Sequence, residues 1–244
     1  MILPLAHIFQ PLIDAAEAVL KFFHDDVGVS WGLSIVLLTF VTRIVILPLS
    51  VKQIRSMRAL QAYQPQIKEI QEKYKDDRQR LQRELMGFYQ ENKINPFASC
   101  VPLLLQIPVF ISLYALLRGS SFKEDVGSAG FLFIPNLTEA ATGAVLATLI
   151  VLFIATQLGA GMVMAATADR QQRILMFALP LIIVPFIVRF PAGLVVYWIT
   201  TNVWTLGQQY VVKRVLPAPD QPTPEQVKAV KPPPPPPRKR KRRR

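Results

Sequence analysis

Thr39 and Arg43 lie one helical turn apart and so share a helix face, with Thr42 beside them. All three stand inside the apolar run Trp31–Leu49, which is long enough to span a bilayer. A guanidinium stays ionised at any accessible pH. Placing one at that depth costs about 3 to 17 kcal/mol, depending on the scale. Such a charge normally finds a carboxylate. The apolar runs at about 31–49, 97–117, 143–164, 174–188 and 192–212 contain no Asp and no Glu. Arg43 therefore needs water, backbone carbonyls or an anionic guest, which points to a wet cavity within the bilayer. The plainer alternative is a side chain snorkelling to the headgroups. The helix from Arg43 to Lys52 is about 13 Å long, farther than the side chain reaches alone.

Other polar residues could line the same cavity. The third run carries Gln157, and the fifth carries Thr200, Thr201, Asn202, Gln208 and Gln209. Taken singly, such residues are more often packing glue between membrane helices. No recognisable motif for covalent or metal chemistry appears. Both histidines, His7 and His24, precede the first run, and no Walker loop, HExxH, GxSxG or Cys/His cluster occurs. A proton-coupled transporter needs a titratable relay in the membrane, and the runs offer none. The lone Cys100 cannot form an internal disulfide. Gly159-Ala160-Gly161 follows an apolar helix rather than a strand, so it reads as helix packing, not a phosphate loop. The expectation is a protein that is not an enzyme and has no catalytic residues, metal or cofactor.

Positioning these residues requires membrane helices. With 51% hydrophobic and 18% charged residues, the 244-residue chain is too apolar for an ordinary soluble domain. The net charge of +12 is mostly local, because Arg238 to Arg244 are all basic and the rest carries only +5. The expected fold is an all-α integral membrane protein with five spans: 31–51, 96–118, 142–165, 172–189 and 191–212. Ten basic residues lie between the first two spans, two (Arg118 and Lys123) between the next two, then Arg170 and Arg173. The positive-inside rule then makes the 52–95 loop and the carboxyl tail cytoplasmic, with the amino terminus outside. Asn95-Pro96 reads as a cap and first position opening the second span, and Pro191 opens the fifth. Ile174 to Val188 would be only about 23 Å long, unless the helix continues through Gln171 and Arg189.

The 52–95 loop reads as a helical hairpin. Pro65 starts one helix, with Ile67, Ile70 and Tyr74 on a stripe. Asp76-Asp77 breaks it and caps a second, bearing Leu81, Leu85 and Phe88. The stripes are thin, so the pair should be weakly packed and mobile. Residues 1–30 lack the positive n-region of a signal peptide. Ile8, Leu12, Ala15, Val19 and Phe22 keep helical spacing and suit an extracytoplasmic amphipathic helix lying in the interface. Residues 215–244 form a tail whose six prolines, Pro232 to Pro237, give a semi-rigid spacer. The basic run Arg238, Lys239, Arg240, Lys241, Arg242, Arg243 and Arg244 that follows suits polyanions such as anionic lipid headgroups or a nucleic-acid backbone.

Four segments now carry a resemblance: LTFVTRIVILPL (38–49), QPQIKEIQEKYKDDRQRLQRELMGFYQENKINPFASCVPLLLQIPVF (64–110), DRQQRILMFALPLI (169–182) and FPAGLVVYWITTNVWTLGQQYVV (190–212). Together, over about 31–214, they resemble the YidC family of membrane protein insertases, which has mitochondrial and chloroplast relatives. The chain is similar to a compact bacterial member, without the large extracytoplasmic domain of Gram-negative members or the lipidated cysteine of many Firmicutes. The resemblance implies a hydrophilic groove open to cytoplasm and lipid but closed outside, lined by Arg43, Thr39, Gln157, Trp198 and, more weakly, Asn202. It implies that Tyr197 and Trp198 mark the substrate's sliding path on the fifth span. It also implies a chaperone-like insertase of the bacterial cell membrane acting on nascent membrane proteins, beside the ribosome or with the Sec translocon, without nucleotide hydrolysis. A lipid scramblase or small channel using the same wet groove, and an assembly factor for helices already inserted, are the rival readings.

Overall fold

The computed structural model describes residues 3–92, 101–165 and 170–215. Its elements, in order, are α1 (Leu3–Lys21), a π-helical turn (Phe22–Asp26), α2 (Trp31–Ala62), α3 (Gln64–Lys73), α4 (Arg78–Glu91), α5 (Val101–Arg118), α6 (Ser120–Val126), α7 (Gly143–Ala165), α8 (Arg170–Ile187) and α9 (Ala192–Val215). Among the described residues there is no strand longer than an isolated bridge. Two helices among the described residues are long and apolar enough to cross a membrane, Trp31–Ser56 and Gly143–Met162. A third is added if α5 and α6, bent by 71° at Gly119, count together. In α9 the run Thr200-Thr201-Asn202 and the pair Gln208-Gln209 dilute the apolar character.

The chain forms two compact units. One comprises Met1–Gln53 with Cys100–Pro217; the other comprises Ile54–Ser99 with Ala218–Arg244, of which 54–92 are described. In the second unit α3 and α4 meet through Ile67 and Phe88, with Leu60, Tyr63, Ile70, Leu85 and Tyr89 around them. Pro65 occupies the first turn of α3, where its missing N–H costs nothing. Asp77 caps α4, its carboxylate accepting from the Arg80 N–H at 3.0 Å. The contact is small, as two thin stripes dictate.

In the first unit one apolar core joins α1, α2, α5, α6, α7, α8 and α9. Its fully buried members include Leu20, Ile35, Leu117, Phe122, Leu137, Leu149, Phe153, Ile187, Leu194 and Val195. α7 packs along α9 and α8, and α1 packs along α5. The Gly193 N–H donates to Leu137 O and the Ala192 N–H to Glu139 O, both at 2.8 Å. Gly193 is required at this joint: a Cβ there would lie 2.9 Å from Ile35 Cδ1 and 3.0 Å from Leu137 O.

Several helices depart from the expected bounds. α2 does not stop at 51 but runs on to Ala62. The change in hydropathy near Lys52 marks where a bilayer could end, not where the helix does, because no proline or glycine occurs between Lys52 and Pro65. α8 begins at Arg170 and ends at Ile187, taking in Gln171 but not Arg189. Its 18 residues make about 27 Å, close to the hydrocarbon thickness despite Pro180 and Pro185. On α1, Leu20 is fully buried, with Ile13, Ala16 and Val19 packed against the core. Leu12 and Phe22 of the expected stripe stay exposed. The helix thus has two apolar faces, one against the protein and one free. Lys21, at its end, joins Glu17 at 2.9 Å and Asp125 of α6 at 2.8 Å. Hydrogen bonds that its ammonium donates to these carboxylates, Asp125 foremost, hold it well above the usual lysine range. The Asn95-Pro96 cap and Cys100 lie outside the described residues, as does the tail from 216 onward.

Candidate polar groove around Arg43

Burial falls away along the helices that begin at the same end. In α2, Trp31, Gly32, Ser34, Ile35, Leu38 and Thr39 are buried, and no residue from Phe40 to Lys52 is. In α9 every residue from Ala192 to Tyr197 is buried, as is Pro191 before it; Trp198, Ile199 and Thr200 are then half-buried, Thr201 and Asn202 buried again, and Val203 exposed. The polar residues cluster where this dry packing ends.

Arg43 sits one turn beyond Thr39, on the same face of α2. Its Nε is buried and meets no hydrogen-bond partner, and among the described residues Arg43 forms no ion pair. The group facing it is the phenol of Tyr197 on α9. Tyr197 is only 1% exposed. Gln106 of α5 donates to its hydroxyl through Nε2 at 2.5 Å. The Thr42 and Thr201 hydroxyls lie beside the phenol, although Thr201 Oγ1 meets no donor or acceptor in bonding geometry. α2, α5 and α9 thus converge on one phenol next to one guanidinium.

A second polar contact joins α9 to α7. Asn202 is buried, and its Nδ2 donates to Thr156 Oγ1 at 3.3 Å. Gln157, the next residue of α7, has a buried Oε1 without a partner. Trp198 lies one turn before Asn202, half-buried between Phe110 and Phe153, with edge-on ring contacts at 5.1 and 5.0 Å. The structure therefore brings Arg43 to Tyr197, and Asn202 to α7 beside Gln157. Tyr197 is a wall inside the core, and only Trp198 of the aromatic pair has an open edge. Some expected lining residues are satisfied locally. Thr39 and Thr200 donate to the carbonyls of Ile35 and Val196 one turn back, at 2.9 and 2.8 Å. Gln208 accepts from Trp204 Nε1 at 2.8 Å. Gln53, near the other end of the unit's part of α2, has a buried Nε2 without a partner.

Sequence reasoning missed Gln106. The signal was available: it is the one amide in the apolar stretch from Val101 to Leu117. Among the described residues no group of His, Cys, Asp or Glu could hold a metal ion. Four buried polar atoms among the described residues of this unit, on Arg43, Gln53, Gln157 and Thr201, have no protein partner. Each such atom costs about 1–3 kcal/mol if left dry, and a charged one more.

Comparison with known proteins bears on the family of the chain. The model of the 60Kd inner membrane protein family matches residues 22–219. A membrane protein insertase YidC from Streptomyces avermitilis is 39% identical over 234 residues, covering 82% of this chain and 55% of the relative. One from Francisella tularensis subsp. novicida is 40% identical over 199 residues, covering 80% and 34%. A crystal structure described as an active YidC insertase with its first transmembrane domain resolved superposes with a TM-score of 0.65 at 26% identity, covering 84% of this chain and 46% of that one. The chain thus spans about half the length, or less, of these relatives. With its family model matched across most of its length, the chain belongs to the 60Kd inner membrane protein family, that of the YidC insertases.

Proposed function

We propose that this chain is a membrane protein insertase that lowers the cost of moving a client's polar segment into the bilayer. The observation that carries this reading is Arg43: a cation within an apolar helix, with a buried Nε unpaired and a phenol rather than a carboxylate for neighbour. A groove wetted at Arg43, Gln157 and Thr201 would serve those atoms and receive a client's acidic tail. Water in the groove reduces the tail's desolvation cost, and the guanidinium adds attraction. The client's apolar helix would then leave past the open edge of Trp198 into lipid. Burial of apolar area at about 25 cal/mol per Å² supplies the drive, so neither covalent chemistry nor nucleotide is needed. A membrane potential positive outside would favour acidic tails by about 2.3 kcal/mol per charge per 100 mV.

In this reading five helices cross the bacterial cell membrane, formed by α2, α5, α7, α8 and α9. The α3–α4 pair and the carboxyl tail are cytoplasmic, and α1 lies outside, in the interface. The dry packing where α2 and α9 begin supports a groove closed on that side. The basic residues 238–244 would grip ribosomal RNA while clients emerge, and a Sec translocon could share the work. Ribosome co-sedimentation that falls steeply with salt and is lost on deleting 238–244 supports the tail's role; unchanged co-sedimentation removes it.

The test of the central claim uses vesicles reconstituted with the whole chain and a ribosome-bound client, scored by protease protection of the translocated tail. Arg43→Ala should reduce insertion of an acidic-tailed client about tenfold, as loss of about 1.4 kcal/mol of attraction implies. Arg43→Lys should retain most activity, and a neutral-tailed client should respond little. Equal insertion by wild type and Arg43→Ala with the acidic tail would refute the charge-attraction mechanism.

A further inference from the structure

Residues 131–134 form a tight two-residue turn, with the Phe131 N–H donating to Ile134 O at 2.8 Å and the Ile134 N–H to Phe131 O at 2.9 Å. Its two central residues are Leu132 and Phe133, which are 84% and 43% exposed. Leu132 adopts φ +54°, alone among the described non-glycine residues in having a positive φ. Glycine usually fills such a position, because a Cβ is strained there. A side chain as large as leucine at a strained and exposed site calls for something that rewards its display.

The base of the turn is anchored by packing and backbone hydrogen bonds. Phe131 covers Gly32, the second residue of α2, so closely that a Cβ at Gly32 would lie 2.1 Å from Phe131 Cγ. Ile134 and Leu137 are buried in the core. Leu137 and Glu139 accept from the first N–H groups of α9, and Thr142 leads directly into α7, accepting from Leu146 at 3.3 Å. The turn is therefore fixed at the level where α2, α7 and α9 all begin, and two of these are long and apolar enough to cross a membrane. No charged residue occurs between Asp125 and Glu139.

We infer that Leu132 and Phe133 form a rigid apolar finger that inserts into the interfacial zone of the leaflet at the level where α2, α7 and α9 begin. Its occupant is lipid, by continuity with the lipid-facing flanks of α2 and α7. The finger would fix the depth of that end of the bundle, and so the depth of the polar groove farther along the same helices.

The test places a polarity-sensitive NBD fluorophore on Leu132→Cys in a Cys100→Ser background, with the full chain in phosphatidylcholine–phosphatidylglycerol vesicles. Phe133→Cys serves as a second probe, and Val151→Cys, 64% exposed on α7, as the deep reference. Blue-shifted emission at 132, quenched at least twofold more by lipid carrying a nitroxide near the headgroup than near the chain end, supports the finger. The reference should show the opposite order. Water-like emission quenched by aqueous iodide at both 132 and 133, with a normal reference, overturns the finger and leaves the insertase reading intact. A reference that also reports water overturns the membrane placement on which both rest. Shielding at 132 that disappears on dilution to one chain per vesicle assigns the contact to another copy and overturns lipid as the occupant.

Discussion

The two ends of the first unit are built from the same helices yet follow opposite rules. Where α2 and α9 begin, side chains are apolar, interlocked and dry. Trp31 meets Phe122 edge-on at 5.3 Å and stacks on His24 at 4.0 Å. Gly32 and Gly193 let neighbours approach as closely as backbone allows. Farther along, Arg43, Thr201 and Gln157 present buried polar atoms that the chain does not satisfy. Close packing gives the first region rigidity. The second trades stability for a surface that can receive polar groups, as functional sites commonly do. Substitutions should therefore lower stability at one end and alter transport more than stability at the other.

The largest effect should come from Phe122, which is 1% exposed. Phe122→Ala should lower unfolding free energy by about 3–5 kcal/mol, read as reversible unfolding in mixed micelles. A loss below about 1 kcal/mol would show that this end is not the rigid one. Next, Gly32→Ala drives a methyl into the Phe131 ring and should cost about 1–3 kcal/mol by overpacking. Phe131→Ala in the same chain should restore part of that loss, because it removes the clashing ring. No rescue would mean that Gly32 matters for another reason.

A middling effect is expected at the border between the regions. The Gln106–Tyr197 hydrogen bond ties α5 to α9 beside Arg43. Gln106→Leu and Tyr197→Phe should each cost about 0.5–1.5 kcal/mol. Their double variant should lose less than the sum, giving a coupling of about 1 kcal/mol. Additive losses would mean that the bond contributes nothing and that Tyr197 is held by packing alone.

Helix class, turn chemistry and the anomaly at Arg43 were legible in the residues, because each depends on local composition. Asp77 caps α4 for the reason any aspartate before an amphipathic run does. The long apolar run around Arg43 makes its charge conspicuous without a structure. What was not legible is direction. Tyr197 and Trp198 are neighbours in sequence, yet α9 turns one into the core and leaves the other an open edge. The hydroxyls of Thr39 and Thr200 look like lining groups in sequence, and in the structure each donates its proton to its own helix's carbonyl. Which face of α1 the protein would claim was equally hidden, because both Ile13-Ala16-Leu20 and Leu12-Ala15-Phe22 are apolar at helical spacing. Periodicity gives a stripe; only a partner such as α5 decides which stripe is buried.

The smallest expected effect is the most informative about the polar end. Thr201 is 5% exposed, and its Oγ1 lacks a protein partner. If that hydroxyl is dry, replacing it by a methyl removes an unsatisfied group, and Thr201→Val should gain about 1–3 kcal/mol. If the groove is hydrated, water already serves the hydroxyl, and the gain vanishes into the cost of lost solvation. A change within about 0.5 kcal/mol of zero is therefore expected. Phe122→Ala in parallel confirms that the assay resolves a dry site. A clear gain in stability from Thr201→Val would place both ends of the unit under the same packing rule, and Arg43 would then stand in a dry interior with no route for a client's tail.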